Sequence, residues 1–243
     1  MKLLKKNIVF LLMLSGFFSL NTTDELLAQT DEASKAQYAI WRGNTSVMQT
    51  KNDEVRGSQF YNDEWKSGKV IFRDKTVSDE LPLKYNSYEN LLIFKDGELM
   101  RVFEPTDIQG FIFLNEKGEV TERFMNGIYE KEYDIQPTQL LRVIYNGDTK
   151  LLAKHKIFFS KNAGRDPFSN VSYSEFKEKT DYFILQQNGD VKETRIRQKN
   201  LIRDLANHKK ELKEFVKSSD MKVKSEKEAI ALLNFYDQLG SAQ

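Results

Sequence analysis

The sequence LLIFKDGELMRVF at residues 91–103 decides the fold. Two short apolar stretches, residues 90–95 and 98–103, flank the pair Asp96-Gly97. An Asp-Gly pair between apolar stretches is among the strongest hairpin signals, because both central residues of the tight turn tolerate a positive φ. The segment therefore predicts two neighbouring antiparallel strands.

The same turn chemistry recurs further along the chain. Asn146-Gly147-Asp148 and Asn188-Gly189-Asp190 each separate two apolar or alternating stretches. No predicted strand is followed by a long helical pattern, which excludes a parallel βαβ architecture. Residues 59–196 are therefore expected to form an antiparallel β body, as a curled sheet, a sandwich or a barrel-like structure. Alternation also predicts strands at residues 68–73, 81–85 and 108–114.

The hydrophobic period changes from 2 to about 3.6 residues after Arg197, which indicates helices. The junction Asn207-His208 interrupts this pattern, and residues 225–228 (Ser-Glu-Lys-Glu) have the form of a capping box. In that motif the Ser225 hydroxyl accepts from the Glu228 amide, and the Glu228 carboxylate accepts from the Ser225 amide. The predicted class is α+β, with a C-terminal helical cap of two or three helices in residues 197–243.

Residues 1–28 have the layout of a secretory signal peptide. Three lysines precede the apolar run of residues 7–20, and the small residue Ala28 precedes the expected cut. The run is shorter than the roughly 20 apolar residues that span a bilayer. The pattern predicts an exported protein that is periplasmic, secreted or associated with the outer membrane, and not integral to a membrane after cleavage. Residues 29–58 are polar and mixed, and we expect a loosely structured segment there.

Composition excludes several classes of chemistry. The 243-residue chain contains no Cys, two His and four Pro. It can therefore form no disulfide, thiolate nucleophile or His-rich metal cluster. The sequence also lacks a Gly-x-Ser-x-Gly elbow, a Walker A loop and a Gly-x-Gly-x-x-Gly motif. No catalytic, cofactor-binding or metal-binding residue is assigned, and no cofactor is expected.

The two histidines and one basic region have simple structural interpretations. His155 shares a face of its predicted strand with Ala153 and Ile157, as a partly buried structural histidine would. His208 is expected in solvent near a helix end where the dipole favours a cation.

Residues 192–227 carry 12 Lys and Arg against six Asp and Glu, a net charge of +6. Such a region could attract lipid phosphates or polyanionic glycans, although a solvated helix face is the simpler interpretation. Export makes nucleic acid an unlikely partner.

Several segments between residues 57 and 239 form a shared pattern: GSQFYNDEW at 57–65, GKV at 68–70, LPLKYNSY at 81–88, LLIFK at 91–95, KKEL at 209–212 and LLNFY at 232–236. Together they resemble a family of uncharacterised exported proteins of Gram-negative bacteria. The resemblance implies export and a β-rich fold, and it carries no activity, cofactor or site residue.

Aromatic and acidic side chains are concentrated in the irregular segment 60–65 and near residues 85–88. We predict a possible binding surface formed by Phe60, Tyr61, Asp63, Glu64, Trp65, Tyr85 and Tyr88. The pair Asp63-Glu64 beside Trp65, or Glu89 near the two tyrosines, would also suit acid/base chemistry on a sugar.

The preferred interpretation is an exported cell-envelope binding or interaction module without catalytic activity. Its expected partner is another envelope protein, or an envelope lipid or glycan. Two alternatives remain open: a carrier of an apolar or lipid ligand in a curved β-sheet, and a carboxylate-dependent carbohydrate-active enzyme.

Overall fold

A computed structural model describes residues 54–205 and 207–240, together with the backbone of a short strand at residues 39–40. The predicted signal peptide and most of the predicted N-terminal segment lie outside the described residues. The strands are β1 (Ala39–Ile40), β2 (Glu54–Arg56), β3 (Lys66–Phe72), β4 (Leu81–Asn86), β5 (Leu91–Asp96), β6 (Leu99–Phe103), β7 (Ile108–Leu114), β8 (Val120–Met125), β9 (Leu141–Asn146), β10 (Lys150–Arg165), β11 (Ser172–Leu185) and β12 (Val191–Thr194). The helices are α1 (Gln198–Asp204), α2 (Lys209–Ser218) and α3 (Glu226–Gly240).

The strands form one 12-stranded sheet that does not close on itself. Its order is β1-β6-β5-β4-β3-β7-β8-β9-β10-β11-β12, and each adjacent pair along this path is antiparallel. Strand β2 lies off the path and pairs in parallel with β11. The predicted α+β class, with an antiparallel β-rich body and C-terminal helices, is confirmed. The parallel β2–β11 pair was not expected from the sequence.

The three predicted hairpins are present, but their glycines serve different purposes. Gly97 and Gly189 have positive φ angles of 60° and 90°, as tight turns require. Gly147 joins β9 to β10 for another reason, because a Cβ at this position would lie 2.1 Å from Asp237 Oδ2. A side chain at this position would therefore displace the Asp237 carboxylate that α3 places over the turn.

Aromatic rings fill one face of the sheet in its first half. Tyr85, Phe111, Phe113 and Phe124 come from β4, β7 and β8, and each is at most 1% exposed. Phe111 and Phe124 are stacked, with centroids 4.4 Å apart, and neighbouring rings meet at steeper angles. Burying each ring contributes about 1.5–3 kcal/mol relative to exposure, so this layer is a main source of stability.

The second half of the sheet is covered on both faces. Leu151 and Ile184 belong to an apolar cluster formed with the three helices. The next residues along the same strands, Leu152 and Phe183, point the opposite way and pack with Ile135 from the β8–β9 connection. Because successive strand side chains alternate between faces, two covers are needed to bury both sets.

The predicted capping box at the start of α3 is confirmed in part. The Ser225 amide donates to Glu228 Oε2 at 2.8 Å, as expected. The Ser225 hydroxyl donates to the same oxygen at 2.6 Å, instead of accepting from the Glu228 amide. Within the part of the chain that the structure describes, no helix is long and apolar enough to cross a membrane.

Candidate interaction site

The β10–β11 hairpin extends far beyond the strands that the turn signals predict at residues 149–159 and 181–187. Strand β10 has 16 residues and β11 has 14, and they pair from Lys150 opposite Leu185 out to Arg165 opposite Ser172. We call residues 160–176 the arm, and the connection at residues 166–171 its tip. Because these residues are mostly polar, their sequence contains no clear apolar alternation.

Asp166 organises the tip through local hydrogen bonds. Its Oδ1 accepts from the backbone N–H groups of Phe168 at 3.0 Å and Ser169 at 2.9 Å. Its own N–H donates to the Val171 carbonyl at 2.9 Å, and its carbonyl accepts from the Asn170 N–H at 2.9 Å. An Asp side chain that bonds the backbone two residues ahead is a standard way to stabilise a turn. The conformation of the tip is therefore fixed by hydrogen bonds within residues 166–171.

Arg56 on β2 braces the same turn from the side. Its Nη2 lies 2.9 Å from Asp166 Oδ2, and its guanidinium carbon lies 3.9 Å from the ring centroid of Tyr173. The Tyr173 ring in turn covers Gly164, where a Cβ would come 2.7 Å from the tyrosine oxygen. Hydrogen bonds from the Ser169 amide and Arg56 lower the pKa of Asp166 to about 2. Asp166 is consequently a carboxylate at any ordinary pH.

Phe168 lies at the centre of this braced turn and is 98% exposed. Single exposed apolar residues are common on protein surfaces and need no special explanation. Phe168 differs because the carboxylate of Asp166 holds its amide, so the ring stands on a fixed backbone. Val171, beside it in the tip, is 39% exposed.

Of the residues predicted for a binding surface, Tyr85 lies in the interior and Tyr61 is half-buried beside it. Tyr85 is 1% exposed, and its hydroxyl donates to Asn90 Oδ1 at 2.9 Å. The Tyr61 ring contacts Phe124 and His155, with centroid distances of 5.2 and 5.1 Å. Both tyrosines therefore belong to the aromatic packing of the sheet.

Phe60 and Trp65 come together around lysine side chains. Lys84 Nζ lies 4.2 Å from the Phe60 ring centroid and 5.9 Å from that of Trp65. Lys95 Nζ lies 4.8 Å from the Trp65 centroid. Both rings are only partly exposed, because the ammonium groups occupy positions over them.

The remaining predicted residues are Tyr88 and the two acids Asp63 and Glu64, which lie next to the ring pair; Lys84 Nζ also donates to the Asp63 carbonyl. Tyr88 is 38% exposed and contacts Phe176 at the root of the arm, with ring centroids 5.5 Å apart. Asp63 and Glu64 are exposed, and Asp63 accepts a hydrogen bond from the Ser58 hydroxyl. The seven residues thus divide among the aromatic packing of the sheet, a lysine-covered aromatic pair, the root of the arm and two exposed acids.

Glu89, the other acid considered for acid/base chemistry, is hydrogen-bonded to a neighbouring side chain. Its Oε2 accepts from Asn86 Nδ2 at 2.8 Å. Burial raises the pKa of Glu89, and the hydrogen bond from Asn86 opposes that rise.

An ion-pair network that sequence reasoning missed joins α3 to the sheet. Arg142 on β9 contacts the Glu226 carboxylate through Nη2, and its Nη1 lies 3.9 Å from Glu122 Oε1. The Tyr61 hydroxyl donates to Glu122 at 2.5 Å, and the Tyr182 hydroxyl donates to Glu226 at 3.3 Å. Each carboxylate therefore has charged and hydroxyl partners, which suits a structural clamp.

His155 is partly buried, as predicted. Its Nδ1 lies 3.3 Å from Thr180 Oγ1, and its Nε2 lies 3.2 Å from Glu178 Oε2. Burial lowers the pKa of His155 despite the nearby carboxylate of Glu178. The neutral ring is therefore the expected form at pH 7.

His208 lies between α1 and α2, and its ring is 6.0 Å from that of Tyr236. It directly precedes α2, so it is at the helix end where the dipole disfavours a cation, unlike the predicted position. Over residues 54–205 and 207–240, no group of three or more His, Asp and Glu side chains could hold a metal ion.

No protein-family model, curated protein or solved structure matches the chain.

Proposed function

We propose that the chain is a non-catalytic interaction module of the cell envelope and that the arm is its docking element. The observation that carries this proposal is the 98% exposure of Phe168 on a backbone held by Asp166. Its placement in the envelope rests on the signal-like pattern of residues 1–28.

A braced tip lowers the cost of binding. Association loses free energy when loops and side chains become ordered at an interface, and a turn that is already ordered avoids most of that loss. The bonds of Asp166 and the contact of Arg56 with Tyr173 supply this order before any partner arrives. Burying the free ring of Phe168 would then contribute about 1.5–3 kcal/mol.

The expected partner is a folded protein with an apolar socket. Only one fully exposed ring stands at the tip, and polar residues Ser169 and Asn170 follow it. Stable anchoring in a bilayer takes more than one apolar group of this size. A single aromatic anchor surrounded by polar groups is instead typical of the energetic centre of a protein–protein interface.

Two observations favour this proposal over the alternatives. The inner face of the first half of the sheet is filled by Phe111, Phe113 and Phe124, which leaves the carrier hypothesis without support there. Of the acids suggested for sugar chemistry, Asp63 and Glu89 are engaged by Ser58 and Asn86, and Glu64 is exposed.

The proposal is tested by quantitative pull-down from solubilised envelopes of the source organism. The tagged full chain is compared with Phe168→Ala and with Tyr129→Ala, a control that removes another aromatic side chain, 60% exposed. We expect one protein to be retained stoichiometrically by the wild type and by Tyr129→Ala. Its recovery with Phe168→Ala should fall about tenfold or more, as expected for a buried aromatic anchor.

Equal retention by the Phe168→Ala variant would contradict the docking role of the arm. Recovery of a lipid or glycan without a protein partner would also contradict it, and would return attention to the carrier and carbohydrate hypotheses.

A further inference from the structure

A groove of about 560 Å³ lies between α1 and α2. Four of its six lining residues are cations, and none is an acid: Gln198, Lys199, Ile202, Arg203, Lys209 and Lys213. Its volume is in the range of sites that hold a small molecule or a lipid headgroup.

Helix geometry explains how four cations come to face one groove. Lys199 and Arg203 are four residues apart on α1, and Lys209 and Lys213 are four residues apart on α2. Residues at this spacing lie on the same face of a helix. Like charges at this spacing destabilise a helix, so the arrangement is unfavourable in the absence of an anion.

Three of these cations have no ion-pair partner within the described ranges. Arg203 is bound to Asp204, with 2.7 Å between Nε and Oδ1. No ion pair in the described part of the chain involves Lys199, Lys209 or Lys213. Their ammonium groups are therefore available to a ligand.

We propose that this groove binds a ligand that carries at least two neighbouring phosphate groups. Ammonium groups make strong, charge-assisted hydrogen bonds to phosphate oxygens. Three unpaired ammonium groups match a ligand with several negative charges better than one with a single carboxylate. Ile202 and the methylene stems of the lysines provide an apolar wall beside the charges.

The chain offers a matched control on the same helix. Lys209 and Lys213 line the groove, whereas Lys210 and Lys217 are exposed on α2 outside its lining. The variants Lys209→Gln/Lys213→Gln and Lys210→Gln/Lys217→Gln change the net charge equally. Circular dichroism of both would verify that α2 remains folded.

Inorganic pyrophosphate is the first probe, titrated by calorimetry at physiological ionic strength so that long-range charge effects are screened. The groove variant should bind it about tenfold more weakly or worse, since it loses two charge-assisted contacts to the phosphates. The control variant should stay within about threefold of the wild type, because surface charges outside a site contribute little.

Vesicles then identify the source of the phosphate. Sedimentation with vesicles of cardiolipin, a lipid whose headgroup carries two phosphates, but not with phosphatidylcholine vesicles, and its loss in the groove variant would indicate a lipid headgroup. Pyrophosphate binding without vesicle binding would indicate a soluble phosphate compound. Equal weakening by both double variants would overturn the proposal in favour of diffuse attraction, and so would an absence of binding to both probes.

Discussion

The two ends of the β10–β11 hairpin have opposite environments. At the base, Leu152 and Phe183 pack under the β8–β9 connection, and Leu151 and Ile184 pack under the helices on the other face. At the tip, Phe168 is 98% exposed. The same pair of strands thus passes from a two-sided core into a ribbon that projects an apolar ring into solvent.

The contrast shows that order and burial have separate sources in this hairpin. The base is ordered by apolar area removed from water, which is the dominant stabilising term in folding. The tip is ordered by the hydrogen bonds of Asp166 and by the brace from Arg56. Stability and docking should therefore respond to different substitutions.

The largest effect is expected at the base. Leu152→Ala removes a side chain with no exposure and should reduce the free energy of unfolding by about 2–5 kcal/mol. Phe168→Ala should change it by less than about 0.5 kcal/mol, because an exposed ring forms no packing to lose. Urea denaturation of both variants measures the difference. Similar losses of unfolding free energy from the two substitutions would contradict the difference between base and tip.

A smaller effect is expected where α1 meets β12, next to the base. Asp204 has no exposure, and its carboxylate accepts from the Thr194 hydroxyl at 2.8 Å and from Arg203. Asp204→Asn should lower the free energy of unfolding by about 1–3 kcal/mol at pH 7. The substitution replaces a buried carboxylate oxygen, which accepts hydrogen bonds, with an amide that places a donor among other donors. The exposed substitution Asp79→Asn is the control.

The same variant carries a pH prediction. Burial acts to raise the pKa of Asp204, but the bonds from Arg203 and Thr194 outweigh it and hold the pKa below its usual range. The stabilisation is therefore complete above the unfolded pKa of about 4 and is lost as pH falls through the folded value. Urea denaturation should show that the difference in free energy of unfolding between the wild type and Asp204→Asn is smaller in acid than at pH 7. A gap that widens in acid would refute the linkage.

A moderate effect is expected at the hairpin turn beneath α3. An alanine Cβ at position 147 would displace Asp237 from Tyr145, whose hydroxyl now donates to it at 3.0 Å. Gly147→Ala should lower the free energy of unfolding by about 1 kcal/mol, which is the typical contribution of one such hydrogen bond. In a double-mutant cycle, Tyr145→Phe should cost less in the Gly147→Ala background than in the wild type. Additive losses would show that the two residues act separately.

The smallest effect on global stability is expected at the tip. Asp166→Ala should change the free energy of unfolding by less than about 0.5 kcal/mol, yet free the amides of Phe168 and Ser169. Amide hydrogen exchange should become faster at these two positions and remain unchanged in the β11–β12 turn. Because the pKa of Asp166 is lowered to about 2, wild-type protection should persist at pH 4. Unchanged exchange in the variant would show that the carboxylate does not order the tip.

Most of the fold was predictable because its signals are local. Asp96-Gly97 and Asn188-Gly189-Asp190 mark hairpins that form as expected, and the change of period after Arg197 marks the helices. The arm was not predicted, since its polar residues show no apolar alternation at either face.

Little of the candidate site was predictable. The surroundings of a side chain depend on distant segments, and residues 60–65 contain half-buried rings with different neighbours. Tyr61 is packed against Phe124, whereas Trp65 lies beside Lys95. The Arg142–Glu226 pair joins residues 84 positions apart, a contact that no spacing rule anticipates.

The sequence by itself determined the strand and helix periods, the turns and the start of α3 directly after Ser225, because these depend on interactions within a few residues. Tertiary structure alone decided that Gly147 must admit Asp237, that Tyr85 is buried and that Phe168 is exposed. The physical reason is that alternation shows which side chains share a face, whereas burial depends on distant segments that fold over that face.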